Sequence, residues 1–283
     1  MSYNPFSLEG KTILVTGASS GIGLDTAIRL LKKGCVVYGG ARRTELLSKL
    51  KEFGGHALFL DLNDDASIEN CVQSVIKNEG KIDILINNAG YGLGGAIETV
   101  SIKDAKEQFQ VNVFGLARLC QLVIPYMREQ HSGRIINISS IAGLFSSPYL
   151  GWYHASKYSV EALSDALRLE VAQFGIKVSI IEPGLTGTNW GVIAAKGIRK
   201  NSEKTFYELS GGKVAHFYEH FYENGNNITK ASSISKKIEH ACFASHPKLR
   251  YPVGKFSKMF VLFSRIFNDV TLDFFKRLIF RIR

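Results

Sequence analysis

The 283-residue sequence has few cysteines, no long apolar run and, before residue 255, no continuous basic run. Its four cysteines are Cys35, Cys71, Cys120 and Cys242. They lie far apart and form no C-x-x-C pair, so we predict reduced core thiols and neither a disulfide framework nor a metal site. No apolar stretch approaches the roughly 18 residues of a membrane-spanning helix. Residues 1–11 lack a basic-then-apolar leader pattern, and together these absences predict a cytoplasmic protein.

Positive charge is in excess, but half of that excess lies in one segment. The chain has a formal net charge of +10, and residues 255–283 hold seven Lys or Arg and two Asp, a local net charge of +5. The remainder is mildly basic and carries no zinc-finger or similar signature. We therefore predict no nucleic-acid partner.

Short apolar runs alternate with helical patterns from residue 11 onward. This alternation predicts βαβ units, and hence an α/β fold in which helices cover both faces of a parallel sheet. The runs are almost continuously apolar, as strands buried on both sides are. The predicted strands span residues 11–17, 35–41, 57–62, 82–90, 133–140 and 177–184, and the predicted helices span 21–33, 44–53, 65–78, 101–130 and 153–174. One domain with a C-terminal helical extension accounts for the whole pattern.

A glycine-rich loop, TGASSGIG (16–23), joins the first strand to the first helix. Gly17, Gly21 and Gly23 allow a tight turn and the close approach of a pyrophosphate to N–H groups at the helix N-terminus. The alternative is a flexible strand-to-helix turn. Because the loop stands where a dinucleotide site needs it, we favour cofactor binding.

The end of the second strand bears on the choice of cofactor. An acidic residue is expected about 20 positions after the glycine loop to hold the ribose 2′-OH of NAD. Ala41 stands there instead, followed by Arg42 and Arg43. Guanidinium groups bind phosphate through paired donors, so we predict that NADP(H) is preferred over NAD(H). The alternative is a solvated helix start.

Two tyrosines stand four residues before a lysine, Tyr153 before Lys157 and Tyr251 before Lys255. Residues at this spacing share one face of a helix. Pro252 makes a helix doubtful for the second pair. The first pair begins a predicted helix, where a lysine charge would lower the tyrosine pKa towards neutral pH and favour acid–base catalysis. His154 is rotated away from that face, and we interpret it as structural.

Four features together resemble the short-chain dehydrogenase/reductase family, in its compact one-domain branch. They are TGASSGIG (16–23), NNAG (87–90), Ser140, and Tyr153 with Lys157; Asn112 and PGLTGT (183–188) fit as well. The resemblance covers about residues 10–190. It implies a Rossmann-type doubly wound parallel sheet, a nicotinamide cofactor, and hydride transfer between an alcohol and a carbonyl. We also expect a homodimer or homotetramer.

The resemblance implies roles for four catalytic residues. Tyr153 is the general acid/base, Lys157 also holds the nicotinamide ribose, and Asn112 holds a water in a proton relay. A serine hydroxyl orients the substrate oxygen. Alternation along a strand does not choose between Ser139 and Ser140, whereas the family pattern favours Ser140. As a helix-interior residue, Asn112 has a purely structural alternative.

The resemblance also implies cofactor contacts at the carboxyl ends of the strands, where open α/β sheets bind ligands. Besides Arg42, Arg43, Tyr153 and Lys157, the expected cofactor-binding residues are Gly17, Ser19, Ser20, Gly21, Ile22, Gly23, Asp61, Leu62, Asn88, Ala89, Gly90, Pro183, Gly184, Thr186 and Thr188.

Residues 185–230 are predicted to form a lid over the substrate. Their aromatic residues are Trp190, Phe206, Tyr207, Phe217, Tyr218, Phe221 and Tyr222. They can line a pocket for a bulky apolar carbonyl or alcohol such as a steroid, retinoid or long acyl chain. Helix packing explains them equally well, and the pattern does not decide.

Residues 255–283 form a basic amphipathic segment that we call the tail. Its apolar positions are Phe260, Phe263, Phe267, Val270, Phe274, Leu278 and Ile282. Such a segment can lie on a membrane surface, or it can pack on the domain or across a dimer. We favour packing.

These observations predict an NADP(H)-dependent carbonyl reductase or alcohol dehydrogenase. The alternative is a non-catalytic, NADP-binding regulatory protein of the same fold, which would not need Ser140, Tyr153, Lys157 and Asn112. An epimerase or dehydratase of the longer family branch is disfavoured, because its G-x-x-G-x-x-G spacing is missing. The substrate and the direction of reaction are not encoded in any motif.

Overall fold

The computed structural model describes residues 9–188, 190–224, 228–255 and 257–282. Within them, seven strands form one sheet. They are β1 (Thr12–Thr16), β2 (Val36–Ala41), β3 (His56–Phe59), β4 (Ile84–Asn87), β5 (Gly133–Ile138), β6 (Ile176–Pro183) and β7 (Arg250–Val253). Their order is β3-β2-β1-β4-β5-β6-β7, and every neighbouring pair is parallel. This confirms the predicted doubly wound parallel sheet.

Helices connect the strands and continue beyond them. They are α1 (Gly21–Leu31), α2 (Ser48–Glu52), α3 (Asp65–Glu79), α4 (Ile102–Phe109), α5 (Gly115–Glu129), α6 (Gly151–Val171), α7 (Trp190–Ser202), α8 (Glu208–Asn224), α9 (Ala231–Phe243), α10 (Ser257–Ile266) and α11 (Asp269–Phe280). In the described part of the chain, none of them is long and apolar enough to cross a membrane.

All six predicted strands are present, but two features were not foreseen. The seventh strand, β7, lies at the sheet edge beside β6. It is four residues long and contains Pro252, which an edge strand tolerates because one of its sides needs no ladder hydrogen bond. The predicted helix over 101–130 is interrupted by a π-helical turn at Gln110–Phe114. Such turns concentrate at functional sites, and this one contains Asn112.

Alternate residues of β1 pack into separate cores on the two faces of the sheet. Ile13 and Val15 join a core covered by α1 and α9, whereas Leu14 joins the core under α3, α5 and α6. The four cysteines are buried in these two cores, as predicted for core thiols. Burying each large apolar side chain contributes about 1.5–3 kcal/mol. Helices thus cover both faces of the sheet, so a ligand can reach the strands only at their ends.

The order of the strands fixes the position of the site. Connections run outward in opposite directions from β1 and β4, which are neighbours in the sheet. The carboxyl ends of these strands, Thr16 and Asn87, therefore flank a crevice of the kind in which open α/β sheets bind ligands.

A third core lies beyond this edge and is formed by the lid and the tail. It joins Tyr153 to Ala194 and Ile198 of α7, Tyr218 of α8 and Phe280 of α11. Helices α7 and α8 thus cover the residue expected to be catalytic. Within the predicted lid, Asn189 and residues 225–227 lie outside the described residues.

Candidate active site

The loop between β1 and α1 has the backbone that its glycines require. Gly17 and Gly21 have φ angles of +66° and +57°, in the left-handed region. A Cβ atom at Gly23 would lie 2.3 Å from the carbonyl oxygen of Gly17. The first N–H groups of a helix have no intrahelical partner, and the N-cap residue Ser20 makes no side-chain capping bond. These groups are available to an anion, so the loop fits a pyrophosphate.

The NNAG segment forms the opposite wall and is tied to the glycine loop. The Asn88 side chain donates to the carbonyl oxygens of Thr16 and Gly17, at 2.9 and 3.3 Å. The backbone N–H groups of Asn88 and Ala89 donate to the Thr16 hydroxyl at 3.0 and 2.9 Å. Thr16 was not singled out from the sequence. Its signal is a hydroxyl residue at the last position of an otherwise apolar strand.

Asn112 links this wall to the catalytic helix. Its side-chain oxygen accepts from the N–H of Tyr91 at 3.1 Å, and its amide donates to the Tyr91 carbonyl and the Ser156 hydroxyl, both at 3.0 Å. Gly90 lies against it, because an added Cβ would be 3.0 Å from that same oxygen. The side chain of Asn112 therefore fixes the NNAG loop to α6.

Arg42 and Arg43 follow β2 directly and have exposed side chains. The charge of Arg42 lowers the pKa of Tyr91, although burial of that phenol raises it more strongly. Both arginines follow the carboxyl end of β2, at the edge of the sheet that holds the crevice. Asp61, after β3, accepts from the backbone and side-chain nitrogens of Asn63, both at 3.0 Å. No acidic residue takes the place of Ala41.

The remaining expected cofactor residues also lie at the carboxyl edge of the sheet, but two of them have side chains that point into the cores. The side chains of Ile22 and Leu62 pack into the sheet-flanking cores, so their backbone is the part that can meet a ligand. Thr188 lies across from Gly21, since an added Cβ there would be 3.2 Å from its methyl group. The other expected residues are Ser19 in the glycine loop and Pro183, Gly184 and Thr186 at the end of β6.

The structure separates the two candidate serines. Ser140 follows β5, donates its hydroxyl to the Pro183 carbonyl at 3.2 Å and accepts from Ala142 N–H at 3.1 Å. It also lowers the pKa of Tyr153, so the two side chains are neighbours. The Ser139 hydroxyl instead lies against Gly143, where it is next to the side chain of Glu161. Of the two serines, Ser140 is therefore the one that lies beside Tyr153.

One expectation about Tyr153 is wrong for this structure. Burial raises the pKa of Tyr153 to about 12, and the neighbouring Ser140 hydroxyl opposes that rise only in part. Lys157 is not among the groups that lower this pKa. Its Nζ lies 6.0 Å from the centre of the tyrosine ring and donates to the Ile138 carbonyl at 2.8 Å. The shared helical face is confirmed, but the predicted depression of the pKa is not.

Lys157 is itself an unusual buried cation. Burial lowers its pKa to about 8, and the charge of Glu161, one helical turn further on, opposes that shift. A buried charge is tolerated where other charges or hydrogen bonds compensate for lost hydration. Lys157 has both, and its lowered pKa still lies above neutral pH.

An ion-pair cluster behind Lys157 was not found from the sequence. Arg250, on β7, lies within 3.2 Å of carboxylate oxygens of Glu161, Asp165 and Glu182. Glu161 and Glu182 are buried. Burial raises the pKa of Glu161, while Ser139 and Arg250 oppose that rise. The cluster joins α6 to the sheet, but its members are far apart in the chain and no local pattern connects them.

His154 has the structural role predicted for it. One ring nitrogen lies 2.9 Å from the Ala142 carbonyl, and the other lies 2.8 Å from the Ser147 hydroxyl. Burial lowers its pKa. The imidazole therefore fastens the loop after Ser140 to α6 and keeps that serine beside Tyr153.

The lid covers Tyr153 with aromatic rings. The Trp190 ring centre lies 5.0 Å from that of Tyr153, and Tyr218 meets Trp190 edge-on at 6.3 Å. Tyr222 fills the space beside Gly191, where no Cβ would fit. Phe206, by contrast, is fully exposed. In this structure the lid aromatics pack on one another, and those nearest Tyr153 also form the wall that a substrate would meet.

Comparison with known proteins places this geometry in a family. The family model described as short chain dehydrogenase matches residues 11–196. The chain belongs to the short-chain dehydrogenase family. This match confirms the resemblance drawn from the motifs, and it ends within the lid.

Two curated relatives are similar to this short-chain dehydrogenase over different lengths. The Bacteroides thetaiotaomicron protein named 3-ketodihydrosphingosine reductase is 43% identical over 178 residues, which cover 62% of this chain and 64% of that protein. The chain thus spans less than two thirds of the length of that relative. The Helicobacter pylori protein named probable short-chain type dehydrogenase/reductase VdlC is 34% identical over 266 residues, 94% of this chain and 96% of its own.

Solved structures share the fold along most of the chain. A short-chain dehydrogenase from Streptomyces avermitilis has a TM-score of 0.80 at 31% identity, covering 98% of this chain and 97% of its own. A Burkholderia phymatum enzyme in complex with NAD has a TM-score of 0.72 at 26% identity, with coverages of 83% and 86%. A metagenomic enzyme in complex with NADP has a TM-score of 0.68 at 26% identity, with coverages of 87% and 98%. Neighbours of this fold therefore bind either nicotinamide dinucleotide.

Proposed function

We propose that this short-chain dehydrogenase interconverts a carbonyl and a secondary alcohol, with NADP(H) as cofactor and Tyr153 as general acid/base. The observation that carries the proposal is the convergence of Ser140, Tyr153 and Lys157 beside the glycine loop. A protein that only bound a nucleotide would have no need for a phenol and a buried lysine at that point. The proposal therefore extends from the shared fold to the chemistry of this chain.

When bound, the cofactor supplies or accepts the hydride. Its pyrophosphate would be held by the glycine loop, its adenine end by Asp61 and Leu62, and its ribose by the NNAG segment and Lys157. Pro183, Gly184, Thr186 and Thr188 would face the nicotinamide. The chain's own residues handle the proton. In reduction the Tyr153 hydroxyl gives its proton to the substrate oxygen, and in oxidation the phenolate takes it back.

Ser140 and Lys157 support that proton transfer. The Ser140 hydroxyl would donate to the substrate oxygen and stabilise the negative charge that develops there. Lys157 would hold the nicotinamide ribose and pass protons from the relay to Tyr153. Asn112 would keep the NNAG loop against α6 and hold the relay water that returns protons to Lys157.

The preference for NADP(H) rests on Arg42 and Arg43 and on Ala41. Steady-state kinetics with each cofactor test it, using the wild type and Arg42→Asp. We expect wild type to favour NADPH, and the variant to lose about 10- to 100-fold in kcat/KM with NADPH, because a charge-assisted hydrogen bond contributes about 1.5–3 kcal/mol. Lys49→Asp changes a nearby exposed charge and is the control. A wild type that favours NADH would refute the preference.

We further propose a bulky, apolar substrate. Trp190, Tyr218 and Tyr222 support this, and the relative named 3-ketodihydrosphingosine reductase is named for reduction of a ketone. A panel of steroid, retinoid, long-chain keto and small polar carbonyls, followed by NADPH absorbance, tests the proposal with Tyr153→Phe as control. Turnover of small polar carbonyls alone would refute the substrate class. Tight NADPH binding without turnover of any carbonyl would favour the non-catalytic alternative.

A homo-oligomer is the proposed assembly. Phe114, Leu163 and Leu169 expose large apolar side chains on the faces of the π turn and α6. Such surfaces in a globular protein often mark subunit contacts. Light scattering coupled to gel filtration would give the mass of a dimer or tetramer, and a monomer at all concentrations would refute the proposal.

A further inference from the structure

The tail helices α10 and α11 expose a large apolar surface. We call this surface the apolar tail face; its members are Met259, Leu262, Phe263, Ile266, Phe267, Val270, Phe274, Phe275, Leu278 and Ile279, all of them at least 38% exposed. Single exposed apolar residues are ordinary, whereas a contiguous patch of this kind marks an interaction site. Most of the apolar positions of the tail are therefore not packed on the domain, and packing across a dimer stays a prediction.

Part of the tail does pack on the domain, and that part fixes its orientation. Phe280 is buried against Phe217 of α8, with ring centres 5.0 Å apart, and Ile282 joins the same core. Asn268 caps α11 by accepting from Thr271 N–H at 3.0 Å. The side chain of Phe260 lies outside the described residues. The helix is thus held by one edge while its opposite side faces outward.

The outward sides of the two helices form one surface. Val270, Phe274 and Leu278 stand at i, i+4 and i+8 and so share one row of α11. Phe267 joins this helix to α10, with its ring centre 6.3 Å from that of Phe275 and 5.3 Å from that of Phe263. The apolar tail face therefore runs continuously across both helices.

Charge distinguishes between two occupants of this face. Residues 255–283 carry a net charge of +5. Arg277 of α11 and Arg281, the C-cap residue of that helix, are exposed and lie on either side of Leu278 in the chain, at the end of the row of Val270, Phe274 and Leu278. A second copy docking tail to tail would bring +5 against +5, which is repulsive at close range. An anionic surface would instead be attracted by the cations and could bury the apolar row.

We propose that α10 and α11 form a binding surface for an anionic lipid bilayer. The apolar tail face would enter the boundary between headgroups and acyl chains, with Arg277 and Arg281 against lipid phosphates and carboxylates. Helices with an apolar face bordered by cations bind membranes in this way. A lipid surface is the occupant, because it would match both the apolar tail face and the cations that border it.

The surface adjoins the lid. Phe280 of the tail contacts Phe217 and Tyr218 of α8, and Tyr218 contacts Trp190, which covers Tyr153. A bound bilayer would therefore lie next to the elements that open the substrate site, so an apolar carbonyl could enter directly from lipid. This consequence rests on the proposed function, whereas lipid binding itself does not.

Sedimentation with vesicles tests the proposal on the full chain. Vesicles of phosphatidylcholine alone are compared with vesicles that also contain phosphatidylserine. We expect the wild type to sediment with the anionic vesicles and to be released as salt rises, because salt screens the cations. Phe274→Asp should weaken binding at least tenfold, and Arg277→Glu combined with Arg281→Glu should abolish the preference for anionic vesicles.

Phe206→Asp is the matched control, since it changes an even more exposed phenylalanine outside the tail. Thermal unfolding checks that each variant is folded, and light scattering without vesicles gives its mass. The proposal is overturned if wild type does not sediment, or if Phe274→Asp sediments like Phe206→Asp. It is also overturned if Phe274→Asp separates a dimer in vesicle-free buffer, because the face would then join two copies. NADPH binding is measured separately, so failure of the proposed function is distinguishable.

Discussion

The catalytic edge of the sheet and the lid that covers it are held in place by different forces. At the edge, buried or half-buried polar groups have specific partners: Asn88 bonds the glycine loop, Asn112 bonds Tyr91, and Lys157 bonds the Ile138 carbonyl. In the lid, aromatic rings pack on Tyr153, and the charged pair Arg199–Glu219 is half-exposed. Directional bonds at the edge fix the reacting groups, whereas packing in the lid can yield to a substrate.

The largest effect should come from the phenol at the edge. Replacing Tyr153 by Phe keeps the ring that packs under Trp190 but removes the proton donor. We expect kcat to fall by about 10²- to 10⁴-fold, with NADPH affinity nearly unchanged in a fluorescence titration. Tyr158→Phe, on the exposed side of the same helix, is the control and should keep full activity. Equal losses in both variants would remove Tyr153 from the chemistry.

The next largest effect contrasts an ion-pair cluster at the edge with one in the lid. Arg250→Met would leave Glu161, Asp165 and Glu182 without their shared cation, and loss of one partner from a buried pair costs about 3–5 kcal/mol. Arg199→Met removes a half-exposed partner of Glu219 and should cost less than about 1 kcal/mol. Urea unfolding of both variants gives the comparison. A loss from Arg199→Met as large as that from Arg250→Met would contradict it.

The same contrast explains what the sequence could and could not predict. Gly17, Asn88, Ser140, Tyr153 and Lys157 could be singled out because each lies near the end of a predicted strand or at the start of a predicted helix. Strand alternation alone did not choose between Ser139 and Ser140, and the choice of Ser140 came from the family resemblance.

Contacts between distant parts of the chain were beyond sequence patterns. Arg250 is 68 residues from Glu182. Its strand could not be recognised in the sequence, because it is only four residues long and contains Pro252. The raised pKa of Tyr153 could not be foreseen either, because it depends on burial under the lid and not on the spacing to Lys157. The outward side of the tail was likewise undetermined, since an amphipathic pattern does not say which surface will cover it.

The substitution Lys157→Met is expected to raise the free energy of unfolding, by less than Arg250→Met lowers it. The pKa of Lys157 is about 8 in the folded protein and about 10.4 in an unfolded chain, so below pH 8 the buried charge costs on the order of 3 kcal/mol. Between these pH values the folded protein loses the proton first, and its stability rises with pH. Lys157→Met removes the charge, so it should be more stable than wild type below pH 8, with the gap closing towards pH 10.

Thermal and urea unfolding of the cofactor-free protein across this pH range measure that gap. Lys236→Met, at an exposed lysine of α9, is the control. A Lys157→Met variant less stable than wild type at pH 7 would show that the bond to Ile138 and the charge of Glu161 outweigh the burial of the lysine. The site would then stabilise the fold, whereas we expect it to lower stability for the sake of catalysis.

The smallest effect is expected in the lid, at Trp190. Its ring packs on Tyr153 and Tyr218, and its indole nitrogen is buried with no hydrogen-bond partner among the described residues. Phe can keep the ring contacts, so Trp190→Phe should change KM for a bulky apolar carbonyl by less than about tenfold, equivalent to 1.4 kcal/mol, and leave kcat nearly unchanged. Trp152→Phe, away from the lid, is the control, and steady-state kinetics measure both. A fall in kcat comparable to that of Tyr153→Phe would mean that the lid fixes the reacting groups as firmly as the edge does, and the contrast between the two regions would be lost.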